Sequence, residues 1–342
     1  MINHLEVKKD KDIVIPYFPR KLEGSFWGMT TFFNPAHYKN KIKNYRRFRN
    51  GVKGQGLKLI AIELAFGGDD FELTDQDADI LVQVRSNSVM WQKERLLNIG
   101  LSHLPQDCDK VAWIDCDVSF QNENWIKEAS DILQIYNIVQ LFSFIAYLPE
   151  QNTGVNLYNF SNKQDGGQPC FHFGIAYAYN MLGELLFRGK IGKSFPGVPG
   201  GAWACRRELL DKHRFFDSCV FGSNDNVMAH AIYGVNRLAN LSIFSEKLKL
   251  KQTEWHRKTF DLLRASSFYV DGVLEHFWHG DLDKRNYESR ELVAKKYDFD
   301  PRNDIMLNDD GCYEWSSAKK EMHHEAGRYF FARQEENINF SN

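Results

Sequence analysis

The sequence predicts an α/β fold: a mixed, mostly parallel, Rossmann-like sheet flanked by helices, with a C-terminal helical extension. Three observations predict it. Short continuous apolar runs recur along the chain between turn residues, as expected of strands buried on both faces. Amphipathic stretches with helical spacing alternate with them, as in βαβ units. One run, Val111-Ala112-Trp113-Ile114, leads straight into Asp115-Cys116-Asp117. Ligands of open parallel sheets gather at the carboxyl ends of strands.

The elements follow in order. Ser25 to Phe33 is aromatic and β-rich, a first strand that stops at Asn34-Pro35. His37 to Lys58 carries eight Lys or Arg and no acid, with Ile42, Tyr45 and Phe48 at helical spacing. This predicts an amphipathic helix with a basic outer face. Leu57 to Phe66 is a second strand, turned by Gly67-Gly68-Asp69-Asp70. Val89 to Leu104 reads as a helix stopped by Pro105. The strand carrying Asp115 follows, then a helix over Asn124 to Tyr136 and a strand over Ile138 to Tyr147. Glu150 to Pro169 is a polar loop, and Pro196 to Arg206 turns from Gly/Pro-rich to small and apolar. Glu208 to Phe216 is helical, and Phe221 to Asn226 is a turn opening a helix through Ile232. Leu241 to Leu250 reads as a strand, and Ser267 to His279 as a late strand ending in two histidines. Helices are expected over Tyr287 to Tyr297 and Ala318 to Arg333.

Composition narrows the class. The 342 residues are 43% hydrophobic and 26% charged, which suits a packed core and argues against global disorder. A net charge of -2 argues against a general polyanion binder. Met1 to Asp12 has no apolar signal region, and no run approaches the length of a membrane span. Six scattered cysteines without Cys-x-x-Cys spacing read as reduced thiols, so a cytoplasmic location is expected.

Asp-x-Asp by itself says little, since the chain has it seven times. Only the copy at Asp115 ends a buried apolar run. Two carboxylates at a strand terminus repel, and a hard divalent cation shared with phosphate oxygens is the usual remedy. Three other polar sites end apolar elements. Gly200-Gly201 allows close approach of backbone to a ligand. Asp225, in Asn224-Asp225-Asn226, is either a helix cap or a base. His276 and His279 are three apart, so they share a metal only if the strand has already ended. The basic helix is either a solvated face or a dock for an anionic acceptor.

The order of these pieces resembles the GT-A class of nucleotide-sugar glycosyltransferases, most of all the β-1,4-galactosyltransferase type. That family's Arg-x-Lys-Leu-Leu-Asn-x-Gly helix is similar to Lys93-Glu94-Arg95-Leu96-Leu97-Asn98-Ile99-Gly100. Its Asp-Val-Asp resembles Asp115-Cys116-Asp117, and its Gly-Gly-x-x-Ala resembles Gly200 to Ala204, with the Ala one position earlier at Ala202. Its Gly-Gly-Glu-Asp-Asp-Asp resembles Gly222-Ser223-Asn224-Asp225-Asn226, and its Met-x-x-His resembles His276-x-x-His279. The resemblance spans Lys93 to Gly280. Asn224 stands where the family has Glu, several of the family's acceptor-binding aromatics are not recognisable, and no membrane anchor like the family's is expected.

The chain is expected to divide into an N-terminal arm over 1–24, a catalytic domain over 25–280 that contains the resembling stretch, and a charged, mostly helical cap over 281–342. The resemblance implies an inverting transfer with Mn²⁺ (or Mg²⁺) held by Asp117 and His279. Asp115 would bind metal or ribose, and His276 would replace the family's Met; imidazole ligands favour Mn²⁺. Asp225 would be the base. Lys93, Arg95, Asp69, Asp70, Gly200, Gly201, Arg285 and Arg290 are the candidate donor contacts. Asn224 and Trp203 are the candidate acceptor contacts. The expected donor is a UDP-sugar and the expected acceptor a glycan or lipid-linked saccharide. The alternatives are a modified base of nucleic acid, reached through Lys39 to Lys58, and a non-catalytic protein of the same fold.

Overall fold

A computed structural model describes residues 19–150, 170–181, 197–235, 243–280 and 287–336. The strands in chain order are β1 (Ser25–Phe33), β2 (Lys58–Phe66), β3 (Ile80–Ser86), β4 (Cys108–Ile114), β5 (Val118–Phe120), β6 (Ile138–Gln140) and β7 (Phe144–Tyr147). They continue with β8 (Cys170–Phe173), β9 (Ala202–Arg206), β10 (Ser267–Tyr269), β11 (Val273–His276), β12 (Ile305–Leu307) and β13 (Tyr313–Trp315). The central sheet runs β10-β6-β9-β4-β1-β2-β3. Only β9 is antiparallel to its neighbours, β4 and β6. The sheet is therefore mixed and mostly parallel, flanked by helices.

Alternation along the strands sends side chains to two faces. Met29, Phe33, Ile60, Ile62, Val111 and Trp113 meet Leu96 and Leu97 of helix Lys93–Gly100, Ala229 and Ile232 of helix Asn224–Ile232, and Phe330. Leu59, Ala112, Ile114 and Val139 meet Phe48 and Val52 of helix Lys39–Gly54 and Trp125, Ala129 and Leu133 of helix Trp125–Leu133. The basic helix is pinned by its own cations. Arg49 is buried and pairs with Asp79 at 3.0 Å, while Arg46 faces Asp77 and Arg47 faces Glu275. Arg47 also lies 3.9 Å over the ring of Phe277. Three of the seven cations in helix Lys39–Gly54 are thus engaged by carboxylates.

Several sequence expectations need correction. The apolar run over Ile138 to Tyr147 is two strands: β6 lies in the central sheet, and β7 lies in a second sheet ordered β5-β11-β7-β8. Ser267 to His279 divides the same way at Gly272, whose φ is +144°. The described part of the expected strand Leu241 to Leu250, from Ile243 on, is not a strand. Ser245 caps helix Glu246–Leu263, its hydroxyl accepting from the Leu248 amide, and Leu248, Gln252, His256, Thr259 and Leu263 form the buried stripe. Strand β3 and the β12–β13 hairpin were not anticipated. The region after 280 therefore contains a sheet as well as helices Tyr287–Lys296 and Lys320–Ala332. Residues 1–18, the loop over 151–169 and Arg285 lie outside the described residues; Arg290 falls in helix Tyr287–Lys296, its side chain outside them. All six cysteines are free, and no described helix is long and apolar enough to cross a membrane.

Helices Asn224–Ile232 and Glu246–Leu263 pack through buried neutral histidines. His230 Nδ1 donates to the Asn226 carbonyl at 2.7 Å, and His256 Nε2 donates to the His230 carbonyl at 3.1 Å. Burial pushes His230 down to about 4 and lowers His256 as well. Below about pH 6.5 the unfolded chain takes up protons that folded His230 refuses until about pH 4. Stability is therefore full above pH 6.5 and is lost as the pH falls toward 4, by on the order of 3 kcal/mol for His230 alone. Urea midpoints at pH 7 and pH 5 check this. His230→Gln is expected to flatten the difference, and equal midpoints in the wild type would refute it.

Candidate active site

Parallel strands β1, β2, β3 and β4 end at one edge of the sheet, and antiparallel β9 begins there. The Asp115 amide donates to the Gly201 carbonyl at 2.9 Å, joining the end of β4 to the start of β9. Gly201 has a φ of +95°, and a Cβ there would meet Leu274 and Phe142 at 3.1 Å. Helices Lys93–Gly100 and Asn224–Ile232 start at the same edge. Their N-termini carry partial positive charge, which favours anions in the cleft between them.

Beyond Asp117 the chain becomes β5, which pairs antiparallel with β11, so that His276 lies opposite Val118. The Phe277 amide donates to the Asp117 carbonyl at 2.8 Å. β11 ends at His276, and the chain through His279 is no longer strand. That break lets both imidazoles face one carboxylate. His276 Nε2 lies 3.8 Å from Asp117 Oδ1, and His279 Nε2 lies 3.4 Å from Asp117 Oδ2. The donor atoms of Asp117, His276 and His279 lie within 4.8 Å of one another. His276 donates from Nδ1 to the Phe277 carbonyl, which turns its Nε2 toward Asp117. Burial would push the Asp117 carboxyl up, but His276, His279, Lys41 and Arg333 outweigh it and hold it at about 2. One ionised carboxylate and two imidazoles suit a divalent transition ion such as Mn²⁺.

A second polar group occupies the other end of the cleft. Lys93 Nζ lies 2.5 Å from Asp115 Oδ1 and 3.4 Å from Asp225 Oδ1. Burial disfavours the ammonium, but Asp115, Asp225 and Glu94 hold the Lys93 pKa well above its ordinary value. Asp115 is thus paired with Lys93 and stands outside the three-residue cluster. Asn224 is buried and donates to Glu94 Oε2 at 2.5 Å. Burial pushes Glu94 up to about 8, against the pull of Lys93. Asp225 lies in the first turn of its helix, facing Gly200, where a Cβ would come within 2.7 Å of Asp225 Oδ2. Glycine at 200 is what leaves room for this carboxylate.

Asp115, Asp117, Lys93, Asn224, Asp225, His276 and His279 all line one cleft. Other candidates lie elsewhere. Arg95 donates to the Gly311 carbonyl at 2.6 Å and pairs with Asp217 at 3.2 Å, so it clamps the β12–β13 hairpin. Residues two apart on a helix do not share a face, so Lys93 and Arg95 could not both point into the cleft. Trp203 is 1% exposed, its indole donating to the Pro199 carbonyl, and it belongs to the core rather than an acceptor surface. Asp69 sits in the turn after β2, where its carbonyl accepts from Arg85. Neither Asp69 nor Asp70 lines the cleft.

The cleft also holds residues that sequence reasoning missed. Lys41 comes from the basic helix, where nothing marked it out from seven other cations. Glu94 lay unremarked between two singled-out neighbours. Tyr329 and Arg333 come from the C-terminal region and line the same cleft, and no local pattern pointed to them.

No family model and no curated protein matches the sequence. Solved structures with a similar course of chain exist. Glucosyl-3-phosphoglycerate synthase from Mycobacterium tuberculosis, in complex with Mn²⁺, UDP and glucosyl-3-phosphoglycerate, is 16% identical with a TM-score of 0.41. That match covers 80% of this chain and 78% of the synthase. The same enzyme with Mg²⁺ and UDP gives 15% identity and 0.40, over 86% and 87%. TarS from S. aureus gives 11% identity and 0.34, over 61% of this chain and 33% of TarS. At such values these likenesses lend no weight to a particular activity, and the geometry of the cleft must carry it.

Proposed function

We propose that the chain is a metal-dependent, inverting glycosyltransferase of GT-A type that moves a sugar from a nucleotide-diphosphate donor to a hydroxyl acceptor. One observation carries this reading. The cluster of Asp117, His276 and His279 and the carboxylate of Asp225 line one cleft at the carboxyl edge of a mostly parallel sheet. The resemblance of Lys93 to Gly280 to the β-1,4-galactosyltransferase type supports it and favours a UDP-sugar as donor.

The residues divide the work. Asp117, His276 and His279 would hold Mn²⁺ or Mg²⁺, which supplies Lewis-acid neutralisation of the departing diphosphate. Asp225 accepts the proton of the acceptor hydroxyl, on the side opposite the leaving group, giving inversion in one displacement. Lys93 keeps Asp115 and Asp225 apart from the metal cluster by pairing with both. Gly200 leaves room for the Asp225 carboxylate at the cleft, and Gly201 packs against Leu274 and Phe142 behind it. A glycan or lipid-linked saccharide is the acceptor we favour, since a net charge of -2 gives no general attraction to a polyanion.

A thermal-shift screen of nucleoside diphosphates and their sugars, with Mn²⁺, Mg²⁺ or EDTA, tests the reading. A ligand specific to the native state raises stability by mass action, about 2.7 kcal/mol at a hundredfold excess over Kd. Stabilisation by one nucleotide that vanishes with EDTA is the expected result. No shift with any nucleotide or metal would overturn the proposal.

A further inference from the structure

We propose that Lys41 and Arg333 form an anion-binding subsite beside the Asp117–His276–His279 cluster, built to take the diphosphate of the donor. The inference rests on the metal-dependent transferase reading above and assigns the leaving group's partners. The two cations come from opposite ends of the chain and line the same cleft as the cluster.

Both are held in place. Lys41 lies in the first turn of helix Lys39–Gly54, its ammonium 5.1 Å over the ring of Phe33. That helix is tied to the histidine loop, since Asn40 and Asn44 both donate to the Trp278 carbonyl at 2.9 Å. Arg333 follows helix Lys320–Ala332 and is 7% exposed. Its Nη2 donates to His279 Nδ1 at 2.6 Å, and its Nε lies 2.6 Å from Glu335 Oε1. The segment around it is clamped to the start of the basic helix. The Gln334 amide donates to the Tyr38 hydroxyl, and the Asn40 amide donates to Glu336 Oε1. Gly280 lies so close that a Cβ there would meet the Arg333 carbonyl at 2.4 Å. The C-terminal segment is therefore part of the wall of the site.

Charge explains why cations stand beside a metal cluster. Asp117 and Glu335 supply two negative charges there, and Lys41 and Arg333 supply two positive ones. A divalent ion leaves this balanced group with surplus positive charge. At the Lys93 end burial keeps Glu94 protonated at neutral pH, so Asp115 and Asp225 exceed Lys93 by one charge and do not cancel the surplus. A diphosphate does, and in a partly buried cleft the uncompensated charge would be costly. Hydrogen-bond polarity points the same way. A guanidinium only donates, so His279 Nδ1 accepts from Arg333 and the ring proton sits on Nε2. An imidazole that ligates a metal through Nε2 must instead donate from Nδ1, commonly to a carboxylate. Glu335 Oε1 is 3.9 Å from Nδ1. Loading the cluster thus releases the Arg333 Nη2 donor from His279 and turns it to phosphate oxygens, which a planar guanidinium suits well.

Calorimetric titration of the full chain tests this, first with Mn²⁺ alone and then with inorganic pyrophosphate at saturating Mn²⁺. The wild type is expected to bind pyrophosphate only when Mn²⁺ is present. Lys41→Gln and Arg333→Gln are expected to keep Mn²⁺ affinity within about threefold and each to lose roughly tenfold or more in pyrophosphate affinity. Arg333→Lys should recover part of that loss. Normal Mn²⁺ binding with pyrophosphate affinity unchanged in both glutamine variants would overturn the subsite and leave the metal reading intact. Loss of Mn²⁺ binding in folded Arg333→Gln would make Arg333 a prop for His279 and overturn its anion role. A wild type that binds no Mn²⁺ would overturn the metal reading, and the subsite with it.

Discussion

Asp117→Asn is expected to abolish stabilisation by Mn²⁺ and, with it, all transfer from a nucleotide-sugar donor. Asp117 is the sole carboxylate of the cluster, facing His276 through one oxygen and His279 through the other. Asparagine keeps the size and removes the charge, leaving two neutral imidazoles for the ion. Loss of a partner behind a ligand typically costs 10–100-fold in metal affinity, so loss of the carboxylate itself should cost at least roughly 100-fold. The metal-free protein should lose far less. The carboxyl is held at about 2 by His276, His279, Lys41 and Arg333 against the cost of burial, which corresponds to on the order of 2 kcal/mol at neutral pH. Melting curves with Mn²⁺ and with EDTA separate the two effects. The wild type should show a metal-dependent rise and the variant none. A variant that melts like the wild type under both conditions would remove Asp117 from the metal site.

Asp225→Asn should leave binding in place and remove chemistry. A positioned general base contributes about 10²–10⁴-fold in rate, and a loss of that size in transfer is expected. Mn²⁺ and donor affinity should change by only a few-fold, because Asp225 lies outside the metal cluster. The local structure supports a specific role for this carboxylate. It begins a helix after Ser223, whose φ is +72°, and it turns toward Gly200 rather than capping the helix with its side chain. Lys93 lies 3.4 Å away and remains paired with Asp115 when Asp225 is neutralised. Single-turnover assays beside equilibrium donor titration read the two quantities separately. Unchanged turnover would exclude Asp225 as the base, and lost donor binding would make it a binding residue instead.

The sequence by itself determined the parts whose signal is local. Apolar runs and helical spacing mark the strands and helices of the central layer, because burial acts on neighbouring residues in a chain of fixed periodicity. Asp117, His276 and His279 could be singled out because they follow apolar strands, and Asp225 because it opens a helix after a polar turn, the places where α/β sheets gather ligands. Local pattern could not show that β6 and β7, or β10 and β11, belong to different sheets, since both halves of each run are equally apolar. Nor could it tell Arg95 from Lys93, which differ only in the direction the helix gives them. Trp203 was misplaced because an aromatic residue beside two glycines reads alike in a core and at a surface. Only the tertiary structure brought Lys41 and Arg333 to the same cleft. Their place depends on contacts among Tyr38, Asn40, Trp278, Gly280 and Gln334, residues that span almost the whole chain. Such proximity is set by long-range packing, which leaves no local periodicity to read.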